Sequence, residues 1–137
     1  MMKVYKSKID SGLVILVLSL TLVPIVPVLL VDKDIIVIGL VISVAIFEII
    51  TFMGFKYIID GTTLTVSMLY VMRETYDIGD IVEVKSTNTI LASPAASMDR
   101  LAISFKNRRS PLVISPKDKH AFVRELTLIN PHIRTKL

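Results

Sequence analysis

Two long apolar runs occupy most of the first 54 residues. Residues 13–31 carry no charged side chain, and residues 35–54 carry one, Glu48. At about 1.5 Å per helical residue, the runs would span roughly 28 and 30 Å, close to the thickness of a bilayer core. Only residues 32–34 separate them. The pattern therefore predicts a transmembrane helical hairpin over residues 1–54.

The pattern changes to a period of two after the second run, which predicts a mainly β domain over residues 55–137. Alternation is strictest at 63–68, where Leu64, Val66 and Met68 share one face. Small residues and one proline predict a loop over residues 88–99. Strands are predicted at 55–60, 63–68, 71–78, 81–87, 100–106 and 111–114.

A helix is predicted over residues 116–130, because apolar residues recur there at helical spacing. Ser115 is the expected N-cap and Asp118 supports it, since both side chains can accept hydrogen bonds from backbone N–H groups. An amphipathic helix that follows an antiparallel meander usually covers the open end of the sheet. The predicted fold is therefore a partly closed antiparallel barrel of about six strands with a C-terminal capping helix.

The charges that flank the apolar runs predict the orientation in the membrane. Lys3, Lys6 and Lys8 precede the first run and Lys56 follows the second, whereas the linker holds two acids and one lysine. Basic residues are retained on the cytoplasmic side. We therefore expect an integral protein of the cell membrane with residues 55–137 in the cytoplasm.

Composition removes several classes of function. Residues 55–137 contain twelve basic and eight acidic residues, a balance too mild to indicate a nucleic-acid partner but compatible with an anionic membrane surface. The absence of cysteine excludes disulfides and thiolate sites. His120 and His132 have no further ligand at metal-binding spacing, and no nucleophile and base can be assembled. We expect no catalysis, metal or cofactor.

The turn at residues 106–109 is the strongest local charge feature of the β domain. Lys106, Arg108 and Arg109 would project together from a hairpin and contact an anionic lipid or a protein partner. The alternative is a solvated hairpin whose charges discourage pairing of strand edges.

Each apolar run also contains a feature that a plain anchor does not need. Pro24 and Pro27 predict a bend in the first helix. Glu48 is a candidate intramembrane contact, with Ser19 and Thr21 as partners within the hairpin or another membrane protein outside it. The alternative is that Glu48 reaches the interface or is protonated.

Two stretches of the β region resemble motifs of a known family. Ala96–Phe105 reads ASMDRLAISF, and Ile114–Phe122 reads ISPKDKHAF. Both are similar to motifs of the bacterial PH (pleckstrin-homology-like) domain family, whose members are mostly without an assigned biochemical role. The resemblance covers residues 55–137 and implies a split or partly closed β-barrel capped by a C-terminal helix. The turn at residues 60–62 lacks the basic residues with which eukaryotic PH domains bind phosphoinositides, so that mode is not predicted.

These observations predict a membrane-anchored, non-catalytic interaction or scaffolding module. We expect it to bind a protein partner, or a second copy of itself, at the cytoplasmic face of the membrane. The alternative is recognition of anionic lipid headgroups through the 106–109 turn.

Overall fold

The structure is a computed structural model that describes residues 2–31, 34–69, 71–88, 97 and 99–137. Most of the predicted loop at 88–99 lies outside the described residues, as do linker residues 32 and 33. Within the described residues, the helices are α1 (Ser11–Leu22), α2 (Val26–Val31), α3 (Ile35–Met53) and α4 (Lys119–Ile129). The strands are β1 (Met2–Lys6), β2 (Phe55–Asp60), β3 (Thr63–Met68), β4 (Met72–Asp77), β5 (Ile81–Thr87), β6 (Arg100–Phe105), β7 (Leu112–Ile114) and β8 (Arg134–Lys136).

Two apolar helical segments stand before β2 in the described part of the chain. Ser11–Val31 contains α1 and α2, joined by a 3₁₀ turn over Val23–Ile25, so the helix is interrupted where Pro24 predicts a bend. Asp10 caps α1 and Asp34 caps α3. Ser11–Val31 and Ile35–Met53 are each long and apolar enough to cross a membrane, by length and composition, and neither is buried inside the protein.

The strands form two four-stranded sheets within the described residues. The first sheet is antiparallel and has the order β1-β2-β3-β4. The second has the order β7-β6-β5-β8, with β8 parallel to β5. The prediction of a mainly β fold with a C-terminal helix is confirmed, and the strands predicted for β2 to β7 agree with the structure to within about one residue. The two sheets do not close into a barrel.

Strand β1 was not predicted. Its residues precede the first helix, yet they pair with β2 in the register Met2↔Asp60 to Lys6↔Lys56. The Tyr5 ring packs edge-on against Phe122 of α4, with 5.2 Å between the ring centroids. The N-terminal residues that the sequence analysis grouped with the helical hairpin are therefore part of the first sheet.

The core lies between the two sheets and α4. The helix buries Phe122, Val123 and Leu126 on one face. The other core residues come from both sheets and their connections: Tyr57, Ile59, Leu64, Val66, Ile78, Ile81, Val84, Leu101, Ile103, Phe105, Leu112, Ile114 and Ile133.

The start of α4 corrects the prediction that Ser115 caps it. Asp118 is the N-cap, and its carboxylate accepts a hydrogen bond of 3.0 Å from the Ala121 N–H. Ser115 does not cap the helix, because Lys6 and Lys8 form backbone hydrogen bonds with residues 115–117 and hold this segment in an extended conformation. The Lys8 N–H donates to the Ser115 carbonyl at 2.7 Å, and the Lys117 N–H donates to the Lys6 carbonyl at 2.9 Å. Tertiary pairing therefore delays the helix to Lys119.

Candidate interaction surfaces

A groove of about 830 Å³ runs between β4 and β7. Each of these strands is the outermost of its sheet, so the groove occupies the gap between two sheet edges. Five of the six β4 side chains are exposed, and only Tyr76 is half-buried. The lining residues are Val66, Met68, Val71, Met72, Arg73, Glu74, Tyr76, Arg108, Ser110, Pro111, Leu112 and Val113.

Tyr76 organises the end of the groove beside the basic turn. Its ring stacks on Phe105, with 5.1 Å between centroids, and the Arg108 guanidinium lies 5.2 Å from the Tyr76 centroid. The Tyr76 hydroxyl donates a hydrogen bond to the Glu74 carboxylate. Burial raises the pKa of Tyr76 and the Glu74 carboxylate raises it further, while Arg108 opposes both. The groove therefore offers an aromatic face and a cation beside apolar side chains.

The three basic residues of the 106–109 turn have different surroundings. The Lys106 backbone N–H donates to the Asp80 carbonyl at 2.9 Å, and the Lys106 ammonium lies 3.4 Å from the Gly79 carbonyl. Arg108 contacts Tyr76 in the groove, and Arg109 is exposed. The turn follows β6 at the end opposite Asp99. Of the three, Arg108 is the residue that the fold brings to the groove.

Glu48 contacts the first helix. The Thr21 hydroxyl of α1 lies 3.2 Å from a carboxylate oxygen of Glu48 in α3, and it also lies 3.1 Å from the Val17 carbonyl. The expected partner Thr21 is thus found within the hairpin, between two packed helices. Contact with another membrane protein stays a prediction.

Asp99 connects the segment before α1 and the start of α4 to the second sheet. Its carboxylate accepts hydrogen bonds from Lys119, the first residue of α4, at 2.9 Å and from Lys8, just before α1, at 3.0 Å. The hydrogen bond from Lys119, and to a lesser extent that from Lys8, holds the pKa of Asp99 below its ordinary value. Beside it, the buried Arg100 donates from Nε to the Ser97 carbonyl at 2.6 Å. Asp99 and Arg100 therefore fix the start of β6 to Ser97, to Lys8 and to the start of α4.

A buried polar cluster lies directly behind this contact. The Ser7 and Ser115 hydroxyls are 3.2 Å apart, and the Tyr57 hydroxyl donates to Ser7 at 3.4 Å while accepting from the Ser115 N–H at 3.2 Å. Burial raises the pKa of Tyr57. The cluster connects the end of β1 to β2 and to the segment before α4.

The turn between β3 and β4 lies against the end of α3. The Leu69 N–H donates to the Gly54 carbonyl at 3.0 Å, and Leu69 has a positive φ of 53°. A Cβ on Gly54 would lie 2.7 Å from the Leu69 Cδ2 atom and 3.0 Å from the Leu69 nitrogen, so any larger residue requires Leu69 to shift. Val71 and Met72 beside it are 85% and 62% exposed.

Sequence reasoning missed the groove because it depends on the order of strands in each sheet. The one available signal was the exposed, polar character of residues 73–77, which is typical of an edge strand. Among the described residues, no group of three or more His, Cys, Asp or Glu side chains is arranged to hold a metal ion.

Comparison with known proteins gives one family. The family model described as "Bacterial PH domain" matches residues 55–130, which is more than half of the chain. The matched region runs from the first residue of β2 to the residue after α4. No curated protein and no solved structure matches the chain.

Proposed function

This chain belongs to the bacterial PH domain family, and from that premise we propose that it is a membrane-anchored, non-catalytic module that binds an extended segment of a protein partner in the groove between β4 and β7. PH domains are generally non-enzymatic interaction modules. The observation that carries the proposal is the open edge of β4 beside an apolar groove.

Anchoring is supported by the two apolar helical segments and by the pairing of β1 with β2. Strand β1 precedes α1 and β2 follows α3, and the two strands are hydrogen-bonded neighbours. Helices that cross the membrane would then have both ends of the hairpin on the same side of it. Lys3, Lys6, Lys8 and Lys56 lie on that side, so the positive-inside rule supports a cytoplasmic location.

Binding by strand addition is supported by the state of β4. An edge strand presents backbone N–H and C=O groups that another extended chain can pair with. Among the described residues, β4 pairs with β3 on one side and with no strand on the other. The groove beside it gives room for side chains of the added strand, which supply specificity.

The chemistry of the groove indicates the kind of segment that fits. Met68 and Leu112 provide apolar contacts, and Arg108 with the Tyr76 ring provides a cation and an aromatic face. We therefore propose that the partner presents apolar side chains with an acidic residue placed near Arg108. This proposal gives Arg108 of the 106–109 turn to the partner contact. The alternative is recognition of anionic lipid headgroups by the same turn, through Lys106, Arg108 and Arg109.

Photo-crosslinking of the full chain in its native membrane tests the proposal. A photoreactive phenylalanine analogue is placed at Thr75 on β4, at Ser110 in the groove, and at the control position Leu128, which is exposed on α4. We expect one discrete adduct of the same mass from positions 75 and 110 and none from 128. An adduct of twice the chain mass would instead identify a second copy as the occupant. Adducts to lipid alone from position 110 would favour the lipid alternative.

Two proline variants show whether the adduct depends on strand pairing. In an antiparallel strand, successive residues direct their N–H groups alternately toward and away from the partner strand. One of the two substitutions Arg73→Pro and Glu74→Pro therefore removes an N–H that points away from β3 and leaves the hydrogen bonds to β3 intact. The other removes a hydrogen bond to β3. We expect the variant that retains the unfolding temperature to lose the adduct at position 110. Retention of the adduct in that stable variant would contradict strand addition.

A further inference from the structure

The β3–β4 turn carries exposed apolar side chains where turns are usually polar. We name Leu69, Val71 and Met72 the apolar tip; Val71 is 85% exposed and Met72 is 62% exposed. Single exposed apolar residues are ordinary on protein surfaces, but these are neighbours at the end of one hairpin.

The apolar tip is held at the end of α3. The Leu69 N–H donates to the Gly54 carbonyl, one residue after the helix ends at Met53. Met53 is itself 66% exposed, so the apolar surface of α3 continues into the tip. If α3 crosses a membrane, the tip lies at the depth where the helix leaves the hydrocarbon region.

Basic residues occur at the same level. Lys56 lies two residues after Gly54 and pairs with Lys6 of β1 on one side and with Ser67 of β3 on the other, and Ser67 in turn pairs with Arg73. Arg73 follows Met72 directly. Cations around an apolar projection match the boundary between acyl chains and anionic headgroups.

We propose that the apolar tip inserts into the interfacial layer of the membrane that the helices cross and so holds the β domain against the bilayer. The inference rests on the proposed membrane crossing and adds a lipid-contacting site outside the helices. Val71 and Met72 also line the end of the groove nearest α3. At this end a lipid surface is favoured over a protein because the tip continues the apolar surface of α3 and is followed by Arg73, which lies in one cross-strand row with Lys56 and Lys6.

Depth-dependent quenching of a single tryptophan tests this inference. The chain contains no tryptophan. The variant Val71→Trp, or separately Met72→Trp, would therefore carry a single tryptophan as the reporter. The full chain is reconstituted in vesicles with lipids brominated near the carbonyl groups. We expect the tryptophan emission to be blue-shifted. We also expect it to lose more than half of the intensity that it has in vesicles of unbrominated lipid.

Two control positions separate the outcomes. Thr62→Trp lies beyond the far end of β2, about 20 Å from Gly54, and should not be quenched. Phe47→Trp lies on the exposed side of α3 and should be quenched if the helix is in the membrane. Quenching at 47 but not at 71 or 72 would overturn the tip insertion and leave the anchor intact. A blue shift at 71 without quenching would mean that protein covers the tip, which also overturns the inference. No quenching at 47 would overturn the membrane crossing and the tip insertion with it.

Discussion

Asp99 accepts hydrogen bonds from two lysines that are far apart in the sequence. Lys8 comes from the connection between β1 and α1, and Lys119 opens α4. Both ion pairs are partly exposed, with the Asp99 side chain 39% accessible. Exposed pairs of this kind contribute little individually, so the role of Asp99 is to hold three segments in one place.

We expect Asp99→Asn to reduce the free energy of unfolding at neutral pH by about 1 kcal/mol. The pKa of Asp99 is lowered by Lys119 and Lys8. Its stabilising contribution is therefore present above the ordinary carboxyl pKa and disappears as the pH falls through the lower folded-state pKa. Thermal unfolding of the full chain in detergent, followed by near-ultraviolet circular dichroism at several pH values, measures this. The difference from wild type should vanish in acid.

Asp60→Asn is the matched control, since this exposed carboxylate at the β2–β3 turn has no ion pair among the described contacts. An equal loss of stability in both variants would contradict the role assigned to Asp99.

We expect Tyr57→Phe to destabilise the domain by about 1 to 3 kcal/mol, because the buried Ser115 N–H loses its acceptor and the Ser7 hydroxyl loses a donor. The unfolding temperature of the full chain measures the change. Tyr5→Phe is the control: its ring packs on Phe122 in the same way with or without the hydroxyl, so little change is expected. Equal shifts in the two variants would show that the hydroxyl cluster is not what stabilises this region.

Elements β2 to β7 were predictable because alternation and turn residues define each strand locally. Strand β1 was not, since it is five residues long, directly precedes a much stronger apolar signal, and exposes Met2 and Val4. Strand β8 was missed because all three of its side chains are exposed. The position of the α4 cap was wrong because Ser115 and Asp118 both have capping chemistry, and only the pairing of residues 115–117 with β1 decides between them.

The candidate surfaces depended even more on tertiary structure. Glu48 and its partner Thr21 were identified from sequence, because polar residues are conspicuous in an apolar run. The role of Arg108 in the groove was not, since it requires the position of Tyr76 in another sheet. Val71 was predicted as the start of a strand, but the apolar tip was not predicted. The tip depends on the contact of Leu69 with Gly54, which belongs to a different part of the sequence.

We expect Gly54→Ala to displace the β3–β4 turn, since the added Cβ would lie 2.7 Å from Leu69 Cδ2 and 3.0 Å from the Leu69 nitrogen. Faster amide hydrogen exchange in β3 and β4 of the full chain would report it. Gly39→Ala, within α3, has no heavy atom within 4 Å of the new Cβ and serves as the control. Unchanged exchange in the Gly54 variant would contradict the packing of the turn on the helix end.

The membrane topology proposed for the whole molecule can be measured with single cysteines, because the chain has none of its own. Asp34→Cys at the hairpin end should react with an impermeant maleimide from outside intact cells. Ile9→Cys and Thr62→Cys should react only after permeabilisation, since β1 and β2 lie on one side. Labelling of positions 9 and 62 from opposite sides of the membrane would contradict the paired strands.

The pairing of β1 with β2 also orders events during synthesis. Residues 2–6 are synthesised before both apolar helices, and their partner strand is synthesised after them. If the helices cross the membrane as proposed, the first sheet can be completed only when both ends of the hairpin lie in the same compartment. A chain in which only one helix inserts would leave β1 and β2 separated, with Tyr5 unable to cover Phe122. Under the proposed topology, correct insertion is thus a condition for folding the domain, and a misinserted chain would expose an incomplete core to quality-control proteases.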